Sequence, residues 1–475
     1  MKKIQLTCLL IILTGSLYCQ SEAFLKYTIE DYFLKSDIVT DLNSMIKSIE
    51  DVHPNPYHSC SKERIYNLKD SIISYLPDTV SKNLTYLAFK QMTAAYKEGH
   101  TDVLLFVTRS DLPKYKESFP LWIDSYNDSG FIVTANGIDS IDIKPGDIIT
   151  SINGVQESLI KKKIAQYSGE SETYALNEVM GFQFPLWVEL LDIKSPFNIV
   201  YLRNGHPKTI KMDGIPAIRY NELYDHLSDV RKQPFEFSIL ENNIACIEFN
   251  NFDYLDKFEK FLKKSFKTMK KKKCVGLIID IRNNSGGKED LSPLLIDYIY
   301  DKPYKRINAV DTKVSQYHKN MQKTIAKMPQ YKYLETDTIS GYFNAPDGSI
   351  FEERDTTLVN PSKNKYRFTG KACILIGPKC FSYANAFAAE IKYNGFAEMI
   401  GEPLEVSQDE YADICLFILP ETKFKFMTST AYYYAIDKNN TAPVQPDIFV
   451  EQQLDDTKKG KDSILEFAKK WILKQ

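Results

Sequence analysis

The run Gly276-Leu277-Ile278-Ile279-Asp280-Ile281-Arg282-Asn283-Asn284-Ser285-Gly286-Gly287 carries an apolar segment straight into a pair of glycines. From Val275 to Ile281 the apolar residues are nearly continuous instead of alternating. Such a strand is covered on both faces, as in the parallel sheet of a layered α/β core. Two adjacent glycines at its end let the backbone approach a ligand closely and point amide N–H groups at it. Loops use Gly-Gly constantly, so the pair needs a second feature before it carries chemistry.

Outward from this run, strands and helices alternate from about Phe235. Ile244 to Phe249 reads as a strand, Leu255 to Met269 as a helix, Ala372 to Ile376 as another buried strand, and Ala384 to Tyr393 as a helix. That alternation is an α/β layered core. The stretch from Asp311 to Glu353 is polar and irregular and is expected to be an insertion or flap. Lys270 to Lys273 reads as a solvated helix end, not a phosphate-binding patch.

Toward the N-terminus the pattern changes twice. Between about Pro120 and Met212 short strand-like runs dominate, including Gly130 to Val133 and Phe197 to Leu202. The string Ile143-Lys144-Pro145-Gly146-Asp147-Ile148-Ile149-Thr150-Ser151-Ile152-Asn153-Gly154 resembles the PDZ signature, a Pro-Gly-Asp turn leading into a strand that ends at Asn-Gly. A PDZ-like module either captures an extended peptide at a sheet edge or only positions its neighbours. From Tyr27 to Val107 the spacing is helical through Ile38 to Ile49, Ile65 to Tyr75 and Leu84 to Tyr96. Pro54 and Pro56 break that pattern with an extended turn.

The chain has 475 residues, 43% hydrophobic and 26% charged. It is long enough for about three domains and too apolar to be disordered. With 60 basic and 62 acidic residues the formal net charge is −2, so no overall field attracts nucleic acid or an anionic membrane. Lys2 and Lys3 precede an apolar stretch from Leu6 to Leu17 that is too short to span a membrane and reads as an export signal. Cys19 offers a competing lipid-anchor site, which the bulky Tyr18 disfavours. The six remaining cysteines, Cys60, Cys246, Cys274, Cys373, Cys380 and Cys415, form no Cys-X-X-Cys pair and read as buried thiols. No metal constellation or nucleotide loop is present in the sequence, so no cofactor is expected.

The second feature is Ile374-Leu375-Ile376-Gly377-Pro378-Lys379-Cys380-Phe381-Ser382-Tyr383-Ala384-Asn385-Ala386-Phe387-Ala388. It places Ser382 between a buried strand and a helix, where the helix dipole favours a developing negative charge. The Tyr383 amide would supply one oxyanion donor and the Gly286-Gly287 turn another. A serine at that boundary is also a common N-cap, with no chemistry attached.

Taken together and in this order, the two strings resemble the tail-specific, or C-terminal processing, protease family and its tricorn-core relatives. The resemblance covers most of the mature chain. It implies a core of the crotonase and Clp protease type, and hydrolysis of peptide bonds through an acyl-serine intermediate. One branch of the family uses a lysine downstream of the nucleophile, but Ser407 stands at that position here. The tricorn-like branch uses a histidine from a segment before the PDZ-like domain, and Lys97-Glu98-Gly99-His100-Thr101-Asp102-Val103 resembles that segment. His100 is thereby implied as the base that activates Ser382. His53 is expected to be structural, while His58, His206, His226 and His318 lie in polar surroundings without a recognisable partner.

The same resemblance implies a glutamate behind the histidine, shortly before a C-terminal Gly-Val-X-Pro-Asp motif. In Asp437-Lys438-Asn439-Asn440-Thr441-Ala442-Pro443-Val444-Gln445-Pro446-Asp447 that position is Asn440, with Asp437 in reserve. The resulting expectation is a signal peptide (1–23), a helical domain (24–116), a PDZ-like domain (117–213), an α/β serine peptidase core (214–452) and a C-terminal helix (453–475). The substrate would be a peptide or protein, and the location periplasmic or extracellular, with outer-membrane association as a variant. The competing reading is a catalytically weak or inactive peptide- or ligand-binding protein on the same fold.

Overall fold

The computed structural model describes residues 29–106, 114–224, 227, 233–307, 309–326 and 340–474. The expected signal peptide, Cys19 and His226 lie outside them.

The quoted run forms the strand Gly276–Asp280, and it sits inside a six-stranded sheet. Its neighbours are Ile244–Phe249 on one side and Lys371–Ile376 on the other, both parallel to it. Glu398–Gly401 and Ile448–Phe449 continue the parallel array, and Phe235–Leu240 closes the opposite edge in antiparallel register. The continuous apolar pattern follows from cover on both faces. Ala245, Ile247, Leu277, Ile279 and Ile374 pack against the helices Leu255–Lys272 and Tyr383–Asn394. Ile244, Cys246, Ile278, Cys373 and Leu375 pack against the C-terminal helix Ser463–Leu473. That helix comes so close that a Cβ on Gly276 would lie 2.2 Å from Ile472. Lys270, Lys271 and Lys272 occupy the last turn of their helix, where positive charge suits the dipole.

A second sheet carries the long hairpin Glu410–Ile418 and Lys425–Tyr433, extended by Ala309–Lys313 and Ile350–Arg354. Here the sequence expectation is corrected. The stretch 311–353 is no structureless flap: it contributes two strands and the helix Gln316–Ala326. The strands are only five residues each, and Asp311, Lys313, Glu352, Glu353 and Arg354 make them charged, which hides their period.

The helices Lys35–Val52, Lys62–Tyr75 and Lys82–Ala94 share one apolar core with the hairpin residues Cys415, Phe417, Phe424 and Phe426. The same core extends into the separate β-rich sheet, built from Trp122–Asn127, Gly130–Ala135, Ile148–Ile152, Phe197–Arg203 and His206–Met212. All six described cysteines are free thiols; four are buried, and Cys60 and Cys274 are half-buried. No helix among the described residues is long and apolar enough to cross a membrane.

Candidate active site

Ser382 stands between the buried strand and its helix with φ 53° and ψ −131°. A non-glycine residue in that region is strained, and such strain persists only where the surroundings impose it. Its position is that of an N-cap, but its side chain makes no capping hydrogen bond. The hydroxyl is therefore not consumed by helix capping.

The glycine turn explains the surroundings. Asn284 clamps it: its Nδ2 donates to Phe249 O at 2.8 Å, its Oδ1 accepts from Gly286 N–H at 2.9 Å, and its carbonyl accepts from Phe381 N–H at 3.1 Å. The two loops are thus tied together one residue before Ser382. Gly286 has φ +100°, and a Cβ there would lie 2.7 Å from Ser382 Cβ and 2.9 Å from Tyr383 N. Its missing side chain leaves open the space in front of the Tyr383 amide. Gly286 therefore supplies room rather than a donor, because its own N–H is already taken. The amides of Gly287 and Tyr383 have no hydrogen-bond acceptor among the described residues.

Tyr383 is fixed from behind by a buried polar network. Its hydroxyl lies 2.7 Å from Ser292 Oγ and accepts from Arg306 Nη2 at 2.6 Å, while Arg306 Nε is 3.3 Å from Glu390 Oε1. Burial pushes the Glu289 carboxyl up to about 8, with Arg306 opposing it. Ser382 also lines a small cavity of about 10 Å³ with Glu410, whose buried Oε2 has no hydrogen-bond partner among the described residues.

His100 arrives from the N-terminal segment and is docked onto the hairpin. Asp102 and Val103 pair with Met427 and Phe426, and Thr101 Oγ1 lies 2.7 Å from Thr428 Oγ1. Asp102 is held in turn by Lys90 Nζ at 2.6 Å. The His100 ring is only 4% exposed, stacks on Phe381 with centroids 4.5 Å apart, and hydrogen-bonds the backbone of Tyr411. Burial pulls its pKa down to about 4, against the opposing pull of Glu98 and of the Tyr411 bond. No hydrogen bond joins Ser382 Oγ and His100 among the described residues; catalytic contacts are often long before substrate binds.

Asn440 is not brought to this ring. It is exposed, and its N–H closes a turn onto Asp437 O at 3.0 Å. The carboxylate near His100 is instead Glu98, buried and two residues away in the same motif. Burial pushes Glu98 up, but His53, Thr101 and Ser429 outweigh this and hold it below the usual carboxylate range. Ser429 Oγ donates to Glu98 Oε2 at 2.8 Å, and His53 Nε2 lies 3.2 Å from Oε1. His53 Nδ1 accepts from Asn55 N–H at 3.0 Å, so in the neutral ring the proton sits on Nε2, facing Glu98. Sequence reasoning passed over Glu98, although its place beside His100 was a usable signal. His318 is corrected as well: it is buried against Tyr342 and Gln322, at 2.7 and 2.8 Å.

A cleft of about 690 Å³ opens next to these groups, lined by Ser285 and Phe381 on the core side and by Trp122, Tyr174 and Glu178 on the β-rich side.

Ser382 is thus strained, uncapped and adjacent to the open space before the Tyr383 amide, and the Phe381 ring beside it stacks on His100. Residues 243–450 match the model of peptidase family S41. The matched family is one of serine-type peptidases. Among solved structures it is similar to mature CPAF, at 13% identity over 92% of this chain and 97% of that one, with a TM-score of 0.64. The complex of mature CPAF with lactacystin gives 13% identity, 92% and 98% coverage, and 0.64. The photosystem II D1 C-terminal processing protease gives 13%, 90% and 98%, with 0.44. At this identity the likeness to CPAF shows a shared fold. No curated protein matches the chain in sequence.

Proposed function

We propose that this peptidase is exported, acts as an endopeptidase or carboxyl-terminal processing enzyme, and uses Ser382 as nucleophile with His100 as general base. The Ser382 proton passes to His100 as Oγ bonds the scissile carbonyl carbon. The oxyanion is received by the Gly287 and Tyr383 amides. Collapse breaks the C–N bond, His100 returns the proton to the leaving amine, and water then hydrolyses the acyl-serine with the same base. The Tyr411 backbone holds the imidazole in place of Asn440, and ionised Glu98 offsets the charge that His100 acquires.

The observation that carries this reading is the strained, uncapped Ser382 facing the space Gly286 leaves open. Export rests on the basic and apolar N-terminal segment, and the PDZ-like assignment of residues 117–213 on the Pro-Gly-Asp string. The test is labelling of the native protein by a fluorophosphonate, lost in Ser382→Ala, together with cleavage of a mixed peptide library.

A second reading, a binding protein with an idle centre, is favoured by the missing Ser382–His100 hydrogen bond and by the Phe381 ring lying on His100. Absence of both labelling and cleavage by the native protein selects it.

A further inference from the structure

The cleft beside Ser382 has a charge balance that none of the groups above explains. Its apolar walls are Trp122, Tyr174, Phe182 and Tyr254. Phe182 and Tyr254 are exposed, at 36% and 48%, and Lys257 Nζ lies 4.6 Å from the Tyr254 ring centroid. Among the described residues, the ionised groups lining the cleft are Asp124, Glu178 and Lys379. Lys379 Nζ lies 3.3 Å from Asp124 Oδ1, so those two charges are matched across the cleft.

Glu178 is left over. It sits near the end of the helix Glu172–Val179, meets solvent inside the cleft, and its carboxyl makes no hydrogen bond or ion pair among the described residues. The cation nearest behind it, Lys90, is committed to Asp102 at 2.6 Å. An unmatched carboxylate in a confined, aromatic-walled space gains most from a cation that carries its own apolar stem. Lysine and arginine side chains have that form, and the rings offer the cation their faces.

We propose that this cleft takes a lysine or arginine side chain of the peptide substrate, with Glu178 as the carboxylate that selects it. Ser285 and Phe381, the residues next to Gly286 and Ser382, form part of the wall, so the bound side chain lies close to the scissile bond. This specificity rests on the peptidase reading, but it can be measured without turnover.

The experiment uses full-length Ser382→Ala protein and fluorescein-labelled, alanine-rich peptides that differ at a single position, carrying Arg, Lys, Leu or Glu. Fluorescence anisotropy is expected to show the basic peptides binding at least about tenfold more tightly than the Glu peptide. Glu178→Gln should abolish the preference and Glu178→Lys reverse it, with unchanged melting temperatures because the carboxyl supports no internal bond. Equal affinities for Arg and Glu peptides, a preference that survives Glu178→Gln, or no peptide binding at all would overturn the assignment. If the preference holds but native protein cleaves nothing, the peptidase reading fails alone. Cleavage without basic preference sinks only the subsite.

Discussion

His53 Nε2 lies 3.2 Å from Glu98 Oε1, in a site where neither side chain is more than 4% exposed. The pair joins the proline turn after the first helix to the segment that carries His100. Removing one member of a buried pair leaves the other without compensation. His53→Ala is expected to cost about 3 kcal/mol of stability, read as a lower urea midpoint with an unchanged slope. Glu98→Gln keeps the shape and part of the hydrogen bonding but removes the charge beside His100. It should lower kcat/KM by about tenfold or more with KM little changed. Equal activity in Glu98→Gln and native protein would remove Glu98 from the mechanism.

Gly286→Ala tests the oxyanion space. The added Cβ would sit 2.7 Å from Ser382 Cβ and 2.9 Å from Tyr383 N, at a φ of +100°. Activity should fall by about a hundredfold or more, and fluorophosphonate labelling should slow in parallel. A fully active, normally labelling Gly286→Ala protein would show that the pocket lies elsewhere.

Acid should act on stability through two histidines. His100 is held down to about 4 and His318 to about 3, both chiefly by burial. Unfolded histidine takes up its proton near pH 6.5, so between that pH and the folded values the unfolded chain binds more protons. Stability is full above about pH 6.5 and is lost as pH falls toward 4, by at most about 3 kcal/mol for each ring. His318→Gln should remove part of this slope. Phe381→Ala uncovers the His100 ring to water and should move the acid limb of kcat/KM upward, toward the unperturbed range.

Asp41 ties the N-terminal helices to the hairpin that carries Tyr411 and Ser429. Fully buried, it accepts from Glu421 N at 2.9 Å and from Thr422 N and Oγ1 at 2.8 and 2.6 Å. Asp41→Ala leaves these donors unsatisfied and should cost about 3 kcal/mol in chemical denaturation. Asp41→Asn, which keeps one acceptor, should cost less. Identical midpoints for the two variants would mean that the bonds contribute little.

Much of the core was legible because its signals are local. The apolar run before Gly286 had to be a strand covered on both faces, and the helix after Ser382 showed its period and its boundary. The stretch 311–353 was misread because its strands are short and rich in charge. At the site, Ser382 and the glycine turn could be read as motifs, whereas the role assigned to Asn440 was inferred by counting along the chain. Counting cannot reveal that Asn440 turns outward while Tyr411 and Glu98 converge on His100. Tyr411 is more than three hundred residues from His100 and meets it only through pairing of Asp102–Val103 with the hairpin.

By itself, then, the sequence determined the parallel core, the strand-to-turn geometry and the serine proposed as nucleophile, since each depends on residues adjacent in the chain. Only the tertiary structure decided that Gly286 gives space and not a hydrogen bond, that the Tyr411 backbone holds His100, and that Glu178 faces a cleft unmatched among the described residues. Each of these depends on which donors, carboxylates and cations are already committed to one another, and folding makes those commitments between segments that the sequence keeps apart.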